Sequence, residues 1–486
     1  MSFKSGDYQM VGVRDTLHWS KDWRTFPDFL TTYVKQKLGE EWGNAEQAKP
    51  LSERHPFMQI FEAHGRQLNS APKTEGGLVE SAMTGAATCF LGVAYGIYLL
   101  EHNVELQERL LKRLRNRGNF QGAYYELWIA GALIRAGFEL ELSDERGGGP
   151  RHCEWDAISR ATGQRFTVEV KMRGVEGVLG RTAADGGPDN DPKFANLLLN
   201  ALKKPATGAR LIFIDVNVPY ALNDRGEPDW LAPVMTGLET FEREKLDGRS
   251  AYTFITNISF HRELNEQPHS AVAPFGLGIP DFAKVGPIRI SEAYRQKKKH
   301  SDAFHIFEAM RKLRHFPITF DGSLPSETFG GAPSRLMVGQ TYFFPGGGDG
   351  GSDVVGKVRD VTVLVLEKKA YYSVTDVQTG KNFISLAPMT DAELADYAQF
   401  GDSYFGKEDH GPHVVKDEFE LFEWLMTVNA TVPRARLLEW LGPTHEPVAP
   451  GLGDEDLLIY YCEAMVAAHV RDRGLRTGGQ LQDAKG

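Results

Sequence analysis

Four side chains between Asn119 and Arg173 have the types and spacing for phosphodiester chemistry: Glu126, Asp156, Glu169 and Lys171. Hydrolysing a phosphodiester calls for a hard cation that polarises the phosphate and lowers the pKa of a bound water, and such a cation prefers carboxylate oxygens. Asp156 closes the sequence EWD, and Glu169 and Lys171 stand two residues apart in VEVK. Alternation along a strand puts that pair on one face. Glu126 sits in YYELWIAGALIRA, where helical spacing surrounds it with Gly122, Ala123, Ile129, Ala130 and Leu133. A carboxylate among such groups needs a cation, a metal or a hydrogen-bond donor. Taken singly, ExK marks any solvated sheet face and a salt bridge accounts for Glu126. The conjunction points to a site.

Three elements must hold these residues together. The apolar run from Tyr124 to Ala136 predicts a buried helix. Strands are predicted over Glu154–Arg160 and Arg165–Arg173, joined by Ala161, Thr162 and Gly163 as a hairpin. In the second strand Thr167, Glu169, Lys171 and Arg173 share a charged face, while Phe166, Val168, Val170 and Met172 pack. A glycine- and aspartate-rich loop follows, then the amphipathic KFANLLLNALKKP and the buried strand ARLIFIDVNVP. The order is helix, three strands, helix, strand.

This arrangement resembles the PD-(D/E)XK phosphodiesterase superfamily, over roughly Asn119 to Pro219. The resemblance implies an α/β fold with a restriction-endonuclease-like mixed-sheet core. It implies Mg²⁺ or Mn²⁺ held by Asp156, Glu169 and the backbone carbonyl of Val170, with Lys171 orienting the attacking water and Glu126 holding a second metal or a metal-bound water. Trp155 stands where the motif's proline would precede the aspartate. The expected activity is an endonuclease acting on DNA, with bacterial defence or restriction as the setting that such multidomain architectures suggest. RNA is the alternative substrate. A non-catalytic protein of the same fold, binding nucleic acid or a protein partner, is the rival reading. On a solvated charged face, Lys171→Ala and Glu169→Ala are expected to abolish cleavage with little loss of stability.

The chain has 486 residues, 41% hydrophobic and 25% charged, enough for about three domains with real cores. A net charge of −10 counts against a protein that coats DNA, although a local basic patch suffices for binding. Cys89, Cys153 and Cys462 are scattered, which argues against a disulfide framework or a zinc site. The N-terminus lacks the apolar core of a signal peptide, so a cytoplasmic location is expected. A homo-oligomer is compatible with double-strand cutting, but no interface is legible.

Residues 1–118 are expected to form a helical N-terminal region, and 119–318 the nuclease-like α/β domain. Within the first, Ser81–Leu100 carries no charge, yet its glycines favour a buried helix over a membrane span. The run ERLLKRLRNR, with Arg109, Lys112, Arg113, Arg115 and Arg117, is either a solvated helix face or a phosphate contact beside the core. The same two readings apply to Arg295, Lys297, Lys298, Lys299, Arg311, Lys312 and Arg314. Short strands over 336–388 suggest a small β-barrel or sandwich. Inside it GSDVVGKV nearly spells a phosphate loop but continues into Val358 and more strand, which fits a hairpin. Residues 389–474 read as a helical C-terminal domain and 475–486 as a disordered tail.

Overall fold

Alternation at the N-terminus makes a sheet where helices are expected. In the computed structural model, which describes residues 2–73, 78–79, 81–142, 154–180, 191–206, 208–320, 335–345, 353–405, 417–442 and 448–482, the chain opens as an antiparallel meander. Its strands are β1 (Ser2–Ser5), β2 (Tyr8–Val13) and β3 (Thr16–Ser20). Gly6 and Arg14 turn it with φ of 54° and 51°, and Val11 and Val13 face the core. Helices then follow as predicted: α1 (Phe26–Leu38), α2 (Glu40–Gln47), α3 (Pro56–Ser70), α4 (Gly85–Leu99) and α5 (Val104–Leu114). Thr25 and Asp28 form a capping box at α1, with Pro27 in its first turn.

Helix α4 is the charge-free stretch. It is buried by close packing against α6 (Phe120–Arg135): a Cβ on Gly92 would lie 2.0 Å from the Trp128 ring, and one on Gly96 2.8 Å from Leu127. The glycines thus serve helix contact. Among the described residues no helix is long and apolar enough to cross a membrane.

The fold is mixed α/β. A six-stranded sheet runs in the order β4-β5-β6-β7-β8-β9, comprising β4 (Phe138–Leu142), β5 (Trp155–Ser159), β6 (Arg165–Met172), β7 (Ala209–Asp215), β8 (Ala251–Ile258) and β9 (Ser270–Leu277). Pairing is antiparallel except for β6–β7 and β7–β8, which are parallel and joined through α7 (Ala195–Leu202) and α8 (Leu231–Lys245). One face packs Trp155, Phe166, Val168, Phe213 and Phe254 with α6. On the other, Ile212, Ile214 and Ile255 meet Leu198 of α7 and Leu238 of α8. The face of β6 expected to be solvated is therefore covered. Glu169 pairs in register with Ile212 and is only 2% exposed, and Thr167 is buried beside it. A strand with a parallel neighbour and helices on both faces has no free side.

The chain next forms α9 (Ile290–Lys299) and α10 (Ser301–Arg311), which fall in different compact units. The first unit is Met1–Val285 with His300–Gly322; the second is Gly286–Lys299 with Ser323–Gly486. The expected boundary at 318 thus passes over an excursion. The reason is charge: on α9, Arg295 pairs with Asp456, Lys297 with Glu423 and Lys298 with Glu455, each at 2.7 Å. These cations face acidic helices of their own chain rather than waiting for phosphate.

In the second unit the expected barrel or sandwich is one open antiparallel sheet, ordered β10 (Thr341–Phe344), β11 (Val354–Leu364), β12 (Lys369–Asp376) and β13 (Asn382–Pro388). Its inner face, with Phe344, Val358, Tyr372 and Val374, is closed by Leu394 and Tyr397 of α11 (Asp391–Phe400) and by Tyr404. A helix, not a second sheet, completes this core. The described part of the phosphate-loop-like sequence enters β11 directly. Helices α12 (Glu418–Val428), α13 (Arg434–Leu441) and α14 (Asp454–Gln482) pack with Tyr294 of α9 as a bundle. Helix α14 runs into the stretch expected as a tail; residues 483–486 lie outside the described residues, as does Cys153.

Candidate active site

Lys171, near the end of β6, is the hub of a largely buried charge cluster. Its Nζ lies 2.6 Å from Glu169 Oε1 and 3.0 Å from Glu154 Oε1. Glu154 precedes β5, donates its backbone N–H to the Val168 carbonyl, and by alternation shares a face with Asp156. Glu169 is held from a second side by Lys204, just past α7, whose Nζ is 2.7 Å from Oε1 and 2.9 Å from Oε2.

Helix α6 supplies Glu126, 4% exposed, as its apolar surroundings predict. Its partner is Arg113 of α5, which grips the carboxylate with both terminal nitrogens, Nη2 reaching Oε1 at 2.7 Å. Arg109, one turn earlier on α5, stands 3.9 Å from Glu154. The basic run ERLLKRLRNR thus sends two of its arginines to this cluster.

The fields are strong because the groups are dry. Burial pushes the Glu126 carboxyl up to about 7, with the neighbouring Glu154 adding to the shift and Arg113 opposing it. Glu154 goes the other way: burial would raise it, but Lys171, Lys204 and Arg113 outweigh that and hold it below its ordinary value. Lys171 would be lowered by burial, yet Glu169 and Glu154 keep it firmly protonated.

Of the residues singled out in the sequence, Glu169 and Lys171 are in direct contact, with Glu126 in electrostatic reach of Lys171. Val170 turns its side chain into the core opposite them. Asp156 is held elsewhere. It pairs in register with Thr167 and meets Arg165 at 3.0 Å, which also binds Glu141 at 2.8 Å. In this register Glu154 lies across from Glu169, with Asp156 one pair along on the same face. Lys204, Arg109 and Arg113 are further members that the motif alone does not identify.

Glu126, Glu154 and Glu169 are hard oxygen donors gathered from three elements, and the repulsion between Glu126 and Glu154 is what a divalent cation would relieve. The donor chemistry therefore fits such an ion. As placed, the carboxylates are neutralised by ammonium and guanidinium groups. Among the described residues, no three histidine, cysteine, aspartate or glutamate side chains stand close enough together to hold an ion directly.

A cleft of about 690 Å³ opens past the end of β6, lined by Arg173, Gly174, Val175, Lys193, Phe194 and Asn196. A second buried polar group ties strand ends together. There Asp215, pushed up to about 6 by burial, accepts from Thr256 Oγ1, Ile258 N and Asn217 N. Each carboxylate oxygen is satisfied, so this group is structural. No protein family, curated protein or solved structure matches this chain.

Proposed function

We propose that the chain is a metal-dependent nuclease of the PD-(D/E)XK type, cleaving DNA through the Glu169–Lys171 cluster. The observation that carries this reading is the convergence of Glu169 and Glu154 on the Lys171 ammonium, with a buried glutamate from the preceding helix beside them. A restriction-endonuclease-like core accords with the order of helix α6, hairpin β5–β6 and parallel strand β7. Glu169 and Glu154 would hold Mg²⁺ or Mn²⁺, with Glu126 acting on the ion through its field rather than as a third direct ligand. The ion would supply Lewis-acid polarisation of the phosphate and a more acidic water.

The chain's own residues define the remaining work. Lys171, kept cationic by its two carboxylates, offers a fixed ammonium to an attacking water or to charge growing on the phosphate. Arg109 and Arg113 bring positive charge from α5 to offset a phosphodiester backbone. Burial of Glu126, Glu154 and Glu169 keeps these interactions in a low-dielectric setting, where they act more strongly than in water.

One observation favours a second reading. Every carboxylate of the cluster already has a cation from the chain itself, as a purely structural ion network in a non-catalytic protein would have.

The test is cleavage of plasmid, linear duplex, single-stranded DNA and RNA by the purified protein with Mg²⁺, Mn²⁺ or EDTA, beside Lys171→Ala. Metal-dependent cutting that Lys171→Ala loses is expected, and the preferred polymer fixes the substrate class. No cutting of any polymer together with no metal binding would assign the cluster to structure alone.

A further inference from the structure

Glu169 has two ammonium partners, and they are not equivalent. Lys171 is shared with Glu154 at 3.0 Å and sits within a central strand, so it keeps an anion whatever happens to Glu169. Lys204 is anchored only through its backbone, by its own N–H to Ala201 and by Arg210 to its carbonyl. Its ammonium meets Glu169 and no other carboxylate at ion-pair distance among the described residues. The side chain is 17% exposed, a cation largely withdrawn from water that is paired directly with Glu169 and acts on Glu154 only at longer range.

The charge count adds a direction. Around this point stand Glu126, Glu154 and Glu169 against Arg109, Arg113, Lys171 and Lys204, leaving one positive charge in excess. A divalent cation arriving at Glu169 raises that excess and places like charges at close quarters. Of the two ammonium groups on Glu169, Lys204 is the one with no second carboxylate at ion-pair distance among the described residues, so it is the one displaced, and a new anion must be found. A lysine on a flexible four-carbon stem is suited to change partners, whereas a guanidinium locked in a two-point grip is not.

We propose that Lys204 is an exchangeable cation. It occupies Glu169 in the resting protein, leaves it when a divalent ion takes that carboxylate, and then binds a phosphate of the polyanionic substrate. This rests on the nuclease reading of the same site. Ion binding and substrate binding are thereby linked, and each strengthens the other by the same factor.

The experiment measures two equilibria on the full chain, neither of them turnover. Mn²⁺ binding is followed by calorimetry without nucleic acid, and binding of a fluorescein-labelled DNA duplex by anisotropy in Ca²⁺ or EDTA. Wild type, Lys204→Gln, Lys204→Arg and Glu169→Gln are compared, with circular dichroism as the folding control. Lys204→Gln is expected to bind Mn²⁺ about 5- to 10-fold more tightly, because a competing cation is gone, and to lose the gain in DNA affinity that Ca²⁺ gives wild type. Lys204→Arg, which keeps the charge, should retain that gain. Glu169→Gln should lose Mn²⁺ binding. Unchanged or weaker Mn²⁺ binding by folded Lys204→Gln overturns the exchange, even if wild type binds the ion and cuts DNA. Absence of Mn²⁺ binding by wild type overturns the exchange and the nuclease reading together.

Discussion

Lys171→Met keeps the length of the side chain and removes its ammonium, which makes it a direct probe of the cluster. The Glu169 and Glu154 side chains are 3% and 13% exposed, so the substitution leaves two nearly dry carboxylates short of a counter-ion. Breaking a buried pair by removing one partner costs about 3–5 kcal/mol. Lys204 still holds Glu169 at 2.7 Å, and Arg109 stands 3.9 Å from Glu154, so the low end, about 3 kcal/mol, is expected. This reverses what a solvated face would predict, because the face is not solvated.

The assay is urea unfolding followed by tryptophan fluorescence. Six of the eight tryptophans (Trp19, Trp23, Trp42, Trp128, Trp155 and Trp230) lie in the first unit, so the signal reports the unit that holds the cluster. The pH dependence has a definite sign. In wild type, Glu154 is held below its ordinary pKa, so its contribution is present above that ordinary value and is lost as pH falls through the lower, folded one. In Lys171→Met the burial of Glu154 is less opposed, its folded pKa rises, and protonation relieves the stranded charge. The gap between variant and wild type should therefore narrow from about pH 7.5 to about pH 5. A loss below about 0.5 kcal/mol at the higher pH, or a gap that widens on acidification, would refute the buried-cluster account.

Two other changes test neighbouring features. Glu126, raised to about 7, makes the folded protein bind a proton that the unfolded chain has already lost, so wild-type stability should fall as pH rises from the ordinary carboxylate range through 7. Glu126→Gln should flatten that decline in a thermal melt across pH, and an unaltered slope would show that Glu126 is ionised throughout. Gly92→Ala should destabilise by about 1–3 kcal/mol, because its Cβ would meet the Trp128 ring, an overpacking that exceeds the ~1 kcal/mol helix-propensity gain. A melting temperature equal to or above wild type would contradict so close a contact between α4 and α6.

Periodic elements with strong local signals were legible. The apolar helix around Glu126, the hairpin through VEVK, the amphipathic segment after the glycine-rich loop and the strand ARLIFID all form where alternation or helical spacing puts them. Strand β9 has weak local signals, since SAVAPFGL carries alanine, proline and glycine among its few β-formers; its pairing with β8 at the sheet edge, not propensity, makes it a strand. In the site, EWD offers two carboxylates on one face, and only the hairpin register decides which lies beside Glu169. Ile158 opposite Arg165 puts Asp156 against Thr167 and brings Glu154 to Lys171. A register shifted by two residues would bring Asp156 opposite Glu169 instead. Lys204, Arg109 and Arg113 come from other elements, and only the pairing of arginines one turn apart on α5 hinted at a shared target.

The excursion of the chain through α9 also has a consequence for how the protein is made. The first unit needs Ala303, Ile306, Met310 and Phe316 to complete its core, so it cannot close until α10 has followed α9 out of the ribosome. Helix α9 meanwhile awaits Phe422 and the acidic residues of α12 and α14, which begin at Glu418. At about 5–20 residues per second, that delay lasts roughly ten seconds. Until those acidic residues emerge, Arg295, Lys297 and Lys298 are without the partners they meet in the folded unit, so the basic face of α9 is made well before the surface it docks on.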